Sequence, residues 1–417
     1  MISRIFPDGF TRQRTIICPI FHKNNIIFAE SRLVFAMVCN FFVSLWSDFD
    51  KSNKHCNIKL KKEFMTQDIF NNNYFGYKFP KPQYLGAKFI HRGWIAKYIP
   101  ESANTVLDAF GGSQSVAYMM KQLGKKTLTN DFMSFNHHTG KALVENPGIT
   151  LSSDETDILF SKNNNPDVFN LMESLFTDLF FTREEAAFAD SFRSNVRKLD
   201  HQYKQSLALA VMCRSMTRKV TMGHFAHTQA LNYAADPVRV KRNRSLIRPL
   251  KELFLELLPQ YNAAVFDNQQ HNESYNENVL DLLPKLDGVD LVYFDPPYCN
   301  SHADYQSFYH LLETYVEYWK DKKFVNGTKR YEPKRYSGFD KNSEAVGNLR
   351  RMFELSQNVP IWIVSYNDRS YPDIDTMRAM IEPYRNVEIE RKTYSAGRGG
   401  KGSVAGSSEI LLICKPK

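Results

Sequence analysis

Thr105–Phe110 (TVLDAF) is the stretch that most restricts what this chain can fold into. It is a short apolar run that ends beside an aspartate, and Gly111 and Gly112 follow at once. From Gln114 to Leu123, Val116, Ala117, Met120 and Leu123 recur at helical spacing, and Gly124 stands where a helix C-cap belongs. A second strand pattern, Lys126–Thr129, runs into Asn130 and Asp131. Strand, glycine turn, helix and strand in that order predict the repeating unit of a parallel α/β sheet.

Further strand patterns lie at Ala263–Phe266, Val289–Phe294, Pro360–Tyr366, Val387–Tyr394 and Glu409–Cys414. Between 151 and 262 the text changes to longer helical patterns, among them Gln205–Met216. Thr217–Phe225 (TRKVTMGHF) then reads as a turn or ribbon interrupted by Gly223. The expected organisation is an N-terminal extension (1–64), one α/β domain in two halves (65–150 and 263–417), and a helical insertion between them (151–262).

The glycine turn has a chemical use. Glycines let backbone approach a ligand closely, and the helix that follows offers free N–H groups. Asp131, 131 − 108 = 23 residues after Asp108, stands at the end of the second strand, well placed for ribose hydroxyls. A dinucleotide and an adenosyl cofactor both suit these features. The chain lacks a full GxGxxG, which disfavours pyrophosphate, and Gly397–Lys401 has the wrong spacing for a phosphate loop.

A second constellation is Leu291–Cys299, LVYFDPPYC. Proline fixes φ and removes an N–H, so Pro296 and Pro297 stop the strand abruptly and leave carbonyls pointing outward. Asp295 and the Pro296 carbonyl are then two acceptors side by side at a strand's carboxyl end, where α/β sheets place ligands. Two acceptors fit an exocyclic amine with two N–H donors, and the flat ring of Tyr298 suits stacking on a base. An aromatic amine is a weak nucleophile because its lone pair is delocalised. Accepting both of its hydrogens favours the tetrahedral nitrogen that can attack an electrophile. A base in a duplex reaches such a pocket only by leaving the stack.

The charge distribution points to a polyanion. The formal net charge is +9, and within 193–251 thirteen Lys/Arg face only Asp200 and Asp236, a local excess of +11. Residues 1–64 carry ten Lys/Arg against five Asp/Glu. Their apolar run Leu33–Trp46 is fourteen residues long, short of the roughly 20 needed to span a bilayer. It lies too far from Met1 for a signal peptide, so no membrane association is expected. Six scattered cysteines without a CxxC pair argue against a disulfide framework and a zinc site and suit a reducing cytoplasm. The pairs His137/His138 and His224/His227 lack a carboxylate or cysteine at useful spacing, and no metal role is assigned to them.

Taken together these phrases resemble the D12-class, or alpha-group, adenine-N6-specific DNA methyltransferases. Gln83–Lys88 (QYLGAK) is similar to the family's YxGGK phrase, Asp108–Val116 to its DPFxGxGSV loop, and Asn130–Asp131 to its DIN carboxylate. Asp295–Tyr298 matches the catalytic DPPY. Tyr305–Leu312, Val364–Asp368 and Arg398–Ile413 resemble later phrases that flank the pocket. Ala87, Ala109 and Gln114 depart from the pattern. The resemblance implies a Rossmann-like sheet with a helical target-recognition insertion, and S-adenosylmethionine as methyl donor. It implies that Asp295, Pro296, Pro297 and Tyr298 are catalytic. Cofactor contacts are expected from Tyr84, Lys88, Asp108, Phe110, Gly112, Asn130, Asp131 and Asp295, with Glu277 at the acidic position that holds the cofactor's adenine.

In this family the target-recognition region lies between the two halves, where the basic segment falls. Arg214, Arg218, Lys219, His224, Arg239, Lys241, Arg242 and Arg244, with Arg398 in the closing loop, are the candidate contacts to double-stranded DNA. Most are expected to position the duplex, and one or two to read base edges. A restriction–modification setting implies a cognate endonuclease on a separate chain. Methylation of cytosine N4, an RNA substrate and an inactive DNA-binding relative are the alternatives. Because regular text begins at Met65, a chain starting there is expected to keep full methyl-transfer activity. Loss of folding or turnover in that truncation overturns the expectation.

Overall fold

Among the described residues the chain forms nine strands, the central ones from short apolar and β-branched runs: β1 (Thr105–Asp108), β2 (Lys126–Asn130), β3 (Glu273–Tyr275), β4 (Leu291–Phe294), β5 (Lys323–Phe324), β6 (Tyr331–Glu332), β7 (Ile361–Asn367), β8 (Asn386–Thr393) and β9 (Ser408–Lys415). The computed structural model describes residues 77–163, 170–298, 304–319, 321–393 and 408–417. The chain divides into units 1–61 and 62–417, and every described residue belongs to the second. The expected extension 1–64 and Arg398 lie outside the described residues.

Seven strands form one sheet in the order β3-β2-β1-β4-β7-β9-β8, while β5 and β6 pair apart as a small antiparallel ribbon. β3, β2, β1, β4 and β7 are mutually parallel, and β9 runs antiparallel between β7 and β8. The order reverses between β1 and β4, and such a switch point leaves a crevice beyond the strands' carboxyl ends. The mixed α/β architecture is the one expected from the sequence.

Side chains alternate across the sheet and bury both faces. Val106, Leu291, Tyr293, Ile363, Leu411 and Ile413 pack with Ile95, Val116, Met119 and Met120 from the helices Arg92–Ala96 and Ser115–Gln122. Leu107, Val292, Phe294, Trp362, Val364 and Leu412 face the helices Asn342–Leu355 and Ile374–Ile381. A third cluster gathers the helices Arg183–Asn195, Gln202–Arg218 and Leu250–Asn262 against the helix Ser134–Gly140. The described part of 151–262 holds no strand of the sheet.

Two sequence expectations change. Ala263–Phe266 is not a strand. It is a turn running into coil, buried from Ala264 to Phe266, in which the Tyr118 hydroxyl donates to the Ala264 carbonyl at 2.6 Å and Phe266 stacks on Tyr77 at 4.5 Å. The strand of this region is the polar β3, half-buried at the sheet edge, which carries no apolar alternation to read. Thr217 and Arg218 close the long helix, and of the turn or ribbon expected here the remainder to Phe225 takes the turn, followed by bends. There Gly223 has φ +75°, and a Cβ on it would lie 2.9 Å from the Gln83 carbonyl oxygen, so the insertion is pressed onto the Gln83–Lys88 phrase.

Trp362 is central to one face. It is fully buried, stacks on Phe353 at 5.6 Å, and its indole N–H donates to the Val359 carbonyl at 2.8 Å. Trp362→Ala is therefore expected to lower stability by about 3–5 kcal/mol, measured by urea unfolding with an unchanged slope.

Candidate active site

Asp108 closes β1 and Asp295 directly follows β4, the neighbouring strand, so the two carboxylates stand side by side at the switch point. A cavity of about 720 Å³ opens there. It brings together Tyr84, Lys88, Asp108, Phe110, Gly112, Asn130, Asp131 and Glu277 with Asp295, Pro296, Pro297 and Tyr298. Residues 321 positions apart in sequence (409 − 88) meet on one wall, where Lys88 faces Glu409.

The glycine turn is tied to the end of β2. The Gly111 N–H donates to the Asn130 carbonyl at 2.8 Å and the Gly112 N–H to Asp131 Oδ2 at 2.6 Å. A Cβ on Gly111 would stand 2.3 Å from the Gln114 side chain and 2.7 Å from Thr129 Oγ1. Gln114, which replaces a glycine of the loop this turn resembles, keeps the left-handed backbone at φ 64°. That geometry costs a non-glycine residue about 1–2 kcal/mol. Two hydrogen bonds offset it: Thr129 Oγ1 donates to Gln114 Oε1 at 2.7 Å, and Gln114 Nε2 donates to the Asn136 carbonyl at 3.3 Å.

The carboxylates of this half are differently engaged. Asp108 Oδ2 accepts from the Ala117 N–H at 3.0 Å, fixing the start of the helix behind the turn. Asp131 also accepts from the Met133 N–H (2.8 Å) and Asn136 Nδ2 (3.1 Å), so it organises the loop as well as lining the cavity. Glu277 is held by an ion pair with Lys285 and stays about one-third exposed. Burial, with the nearby Asp295 and Asp131 charges adding to it, pushes the Asp108 carboxyl up to about 8.

The side of the cavity that follows β4 is organised by one cation. Lys88 Nζ lies 2.9 Å from Asp295 Oδ1, 2.9 Å from Asp295 Oδ2 and 3.3 Å from Glu409 Oε1, and donates to the Gly86 carbonyl at 3.2 Å. The Tyr298 hydroxyl sits 3.2 Å from Asp295 Oδ1 and 3.1 Å from Glu409 Oε1, and Ser365 Oγ donates to the same Glu409 oxygen at 3.1 Å. Tyr298 packs edge-on against Tyr366 at 5.2 Å. Burial opposes the Lys88 charge, yet Asp295 and Glu409 outweigh it and hold the ammonium well above its ordinary range. Burial pushes Asp295 up to about 6; Lys88 restrains the rise and Glu409 adds to it.

Lys88 thus pairs with Asp295 while it also lines the cavity. Glu409 is a site residue that the sequence reading does not single out. It carries a signal all the same, because it is a charged residue opening an otherwise apolar strand, EILLIC. Tyr84 stacks on Tyr309 at 4.8 Å and on Tyr305 at 5.7 Å, so the lysine phrase and the Tyr305–Leu312 phrase meet through three rings, a contact that the sequence does not show.

A family model for D12 class N6 adenine-specific DNA methyltransferases matches residues 84–380. The chain belongs to this family. The Type II methyltransferase M2.HphI of Haemophilus parahaemolyticus is 32% identical over 343 residues, covering 81% of this chain and 98% of that protein. The modification methylase StsI of Streptococcus sanguinis is 24% identical over 240 residues, covering 55% of this chain and 35% of that protein. The chain is therefore an adenine-N6 DNA methyltransferase, and the family decides for adenine N6 over cytosine N4.

The methyltransferase places its basic candidates unequally. Lys219 is buried and pairs with Glu185 at 2.8 Å while donating to the Arg248 carbonyl at 2.8 Å. Arg214 donates to the Lys81 carbonyl at 3.3 Å and to Gln83 Oε1 at 3.0 Å, clamping the insertion onto the lysine phrase. His224 is buried beside Phe308. All three have partners inside the protein, which charge counting does not reveal. Arg218 pairs with Glu256 at 2.6 Å. Arg239, Lys241, Arg242 and Arg244 are exposed, on or just after the helix Pro237–Arg242, which buries none of its residues. Among the described residues no group of three His, Cys, Asp or Glu is placed to hold a metal ion, and no helix is long and apolar enough to cross a membrane.

The raised Asp295 sets a pH expectation for the methyltransferase. Protonation removes the acceptor, so activity should rise with pH through about 6. Lys88→Met withdraws the ammonium that favours the charged carboxylate and should move this limb to higher pH. A kcat/KM profile from pH 5 to 9 checks both, and an unmoved limb in the variant contradicts the assignment.

Proposed function

We propose that this enzyme transfers the methyl group of S-adenosylmethionine to N6 of an adenine turned out of duplex DNA, protecting sites from a restriction endonuclease carried on a separate chain. The observation that carries the reading is Asp295, a carboxylate set against two prolines and opening on the same cavity as the glycine turn. The names of the two relatives, a Type II methyltransferase and a modification methylase, support the restriction–modification setting. Free, buried Cys213 and Cys414 suit a reducing cytoplasm.

The donor fits the residues present. Its sulfonium and ammonium charges suit a cavity in which the Asp295 and Asp131 charges raise the proton affinity of Asp108. Gly112, with φ +48° and a Cβ position only 3.2 Å from the Tyr84 ring, leaves the floor of that cradle open. When bound, S-adenosylmethionine supplies an electrophilic methyl group. Phe110 and Phe339, edge-to-face at 5.4 Å, provide an apolar wall, and Glu277 and Asp131 offer acceptors for adenosine hydroxyl and amine groups.

On the base side, Asp295 and the Pro296 carbonyl accept the two amine hydrogens, which draws the nitrogen lone pair out of the ring. Tyr298 stacks on the base, and Pro297 keeps that ring and the acceptors in fixed relation. Lys88 holds Asp295 in one orientation. Arg239, Lys241, Arg242 and Arg244 meet phosphates, with Arg218 at the margin; Arg214, Lys219 and His224 are left out of the interface.

Asp295→Ala is expected to abolish methyl transfer while leaving DNA affinity within a few-fold of wild type; measurable turnover contradicts its role. Neutralising Lys241, Arg242 and Arg244 together should weaken DNA binding and lower the slope of log K against log salt by about 2–3. Lys219→Ala should lower the melting temperature instead and leave that slope unchanged. Modification-sensitive sequencing of DNA from cells expressing the protein identifies base and site, and an absence of N6-methyladenine overturns the proposal.

A further inference from the structure

The amine that accepts a methyl group must lose a proton, and the wall that holds Asp295 contains a second carboxylate. Asp295 and Glu409 are bridged twice. Lys88 spans them at 2.9 and 3.3 Å, and the Tyr298 hydroxyl spans them at 3.2 and 3.1 Å. Glu409 is only 5% exposed and Lys88 6%, so water does little to screen the cluster. One ammonium cannot balance two carboxylates, and the trio carries one uncompensated negative charge in a buried place. The cluster can therefore gain one positive charge without passing neutrality.

We propose that Glu409 is the final acceptor of the amine proton, reached from Asp295 through the Tyr298 hydroxyl. The inference rests on the reading of Asp295 as acceptor of the N6 hydrogens. As the nitrogen–methyl bond forms, the N6–H bond breaks and its proton goes to Asp295. The Tyr298 oxygen accepts that proton while its own hydrogen passes to Glu409 Oε1. Tyrosine ends neutral, Asp295 is again a carboxylate beside Lys88, and Glu409 is protonated. The charge of the trio then closes at zero, with no tyrosinate formed.

The surroundings of Glu409 suit this use. From β7, Ser365 Oγ donates to Oε1 and leaves a shared oxygen oriented toward Tyr298. From the segment before the helix Arg92–Ala96 come Lys88 and the buried His91, which burial depresses to about 4 and so keeps neutral. From the end of β4 come Asp295 and Tyr298. Lys88 is already fully protonated and cannot relay, which leaves the tyrosine as the connecting group. Glu409 does not touch the base; it acts through Tyr298.

The test is single-turnover methyl transfer with enzyme pre-bound to DNA and S-adenosylmethionine, for wild type, Glu409→Gln, Tyr298→Phe and the double variant. Glutamine keeps the side chain's shape but cannot take the proton, and phenylalanine keeps the stacking ring but breaks the connection. Each single variant is expected to slow transfer by about 10²-fold, with DNA and donor affinities within threefold of wild type. The double variant should be no slower than the slower single variant, because both cut one path. Added imidazole should restore part of the Glu409→Gln rate, which a merely structural role would not permit. Wild-type rate in Glu409→Gln, full additivity in the double variant, or absence of rescue overturns the proposal. If Glu409→Gln melts early, Tyr298→Phe still decides by its rate and rescue. Wild-type turnover on adenine is measured alongside, so failure of the methyl-transfer reading is separately visible.

Discussion

A single buried ammonium between two carboxylates governs the catalytic edge of this molecule. Lys88 comes from the phrase that precedes the sheet, Asp295 from the proline stop after β4, and Glu409 from the last strand. Removing Lys88 would leave two buried carboxylates without a counter-charge, which is far costlier than losing a surface pair. The contact therefore does more than orient Asp295. It joins the leading segment, the centre of the sheet and its antiparallel margin into one electrostatic unit, and the Arg214 clamp fastens the helical insertion to the same leading segment.

The sheet topology explains how such distant residues meet. In a parallel arrangement every strand would offer its carboxyl end to the crevice. β9 runs the other way, so the start of that strand lies at this edge, with Glu409 in register with Asn367 of β7. An antiparallel strand wedged between β7 and β8 thereby supplies a carboxylate from its opening residues. The cavity also receives Asp108 and Asp131 from the other half, and the repulsion among these acids makes it a place for a positively charged occupant.

Much of this is legible in the amino-acid sequence. The strand–glycine–helix unit and the proline stop are local signals, set by φ restrictions and apolar spacing over a few residues, and they carry the α/β class and the residues lining the cavity. What is not legible is non-local. β3 is polar and at an edge, so no alternation marks it, while the apolar run Ala263–Phe266 serves packing under helices and reads as a strand. Lys219 and Arg214 carry the same charge as Lys241 and Arg242, and only the fold shows which are consumed by internal partners. Glu409 stands out as a charge in an apolar strand, but nothing in the sequence ties it to Lys88.

Placing the cation at one end of the described chain and its second carboxylate at the other has a consequence for biogenesis. The contact closes across 321 residues (409 − 88), and loops of that length form late. A nascent chain can complete β1, the glycine turn and even the proline stop while the catalytic cluster still lacks its third member. β9 is the last of the described strands to be synthesised, so the contact among Lys88, Asp295 and Glu409 cannot close before the chain has been made as far as residue 409.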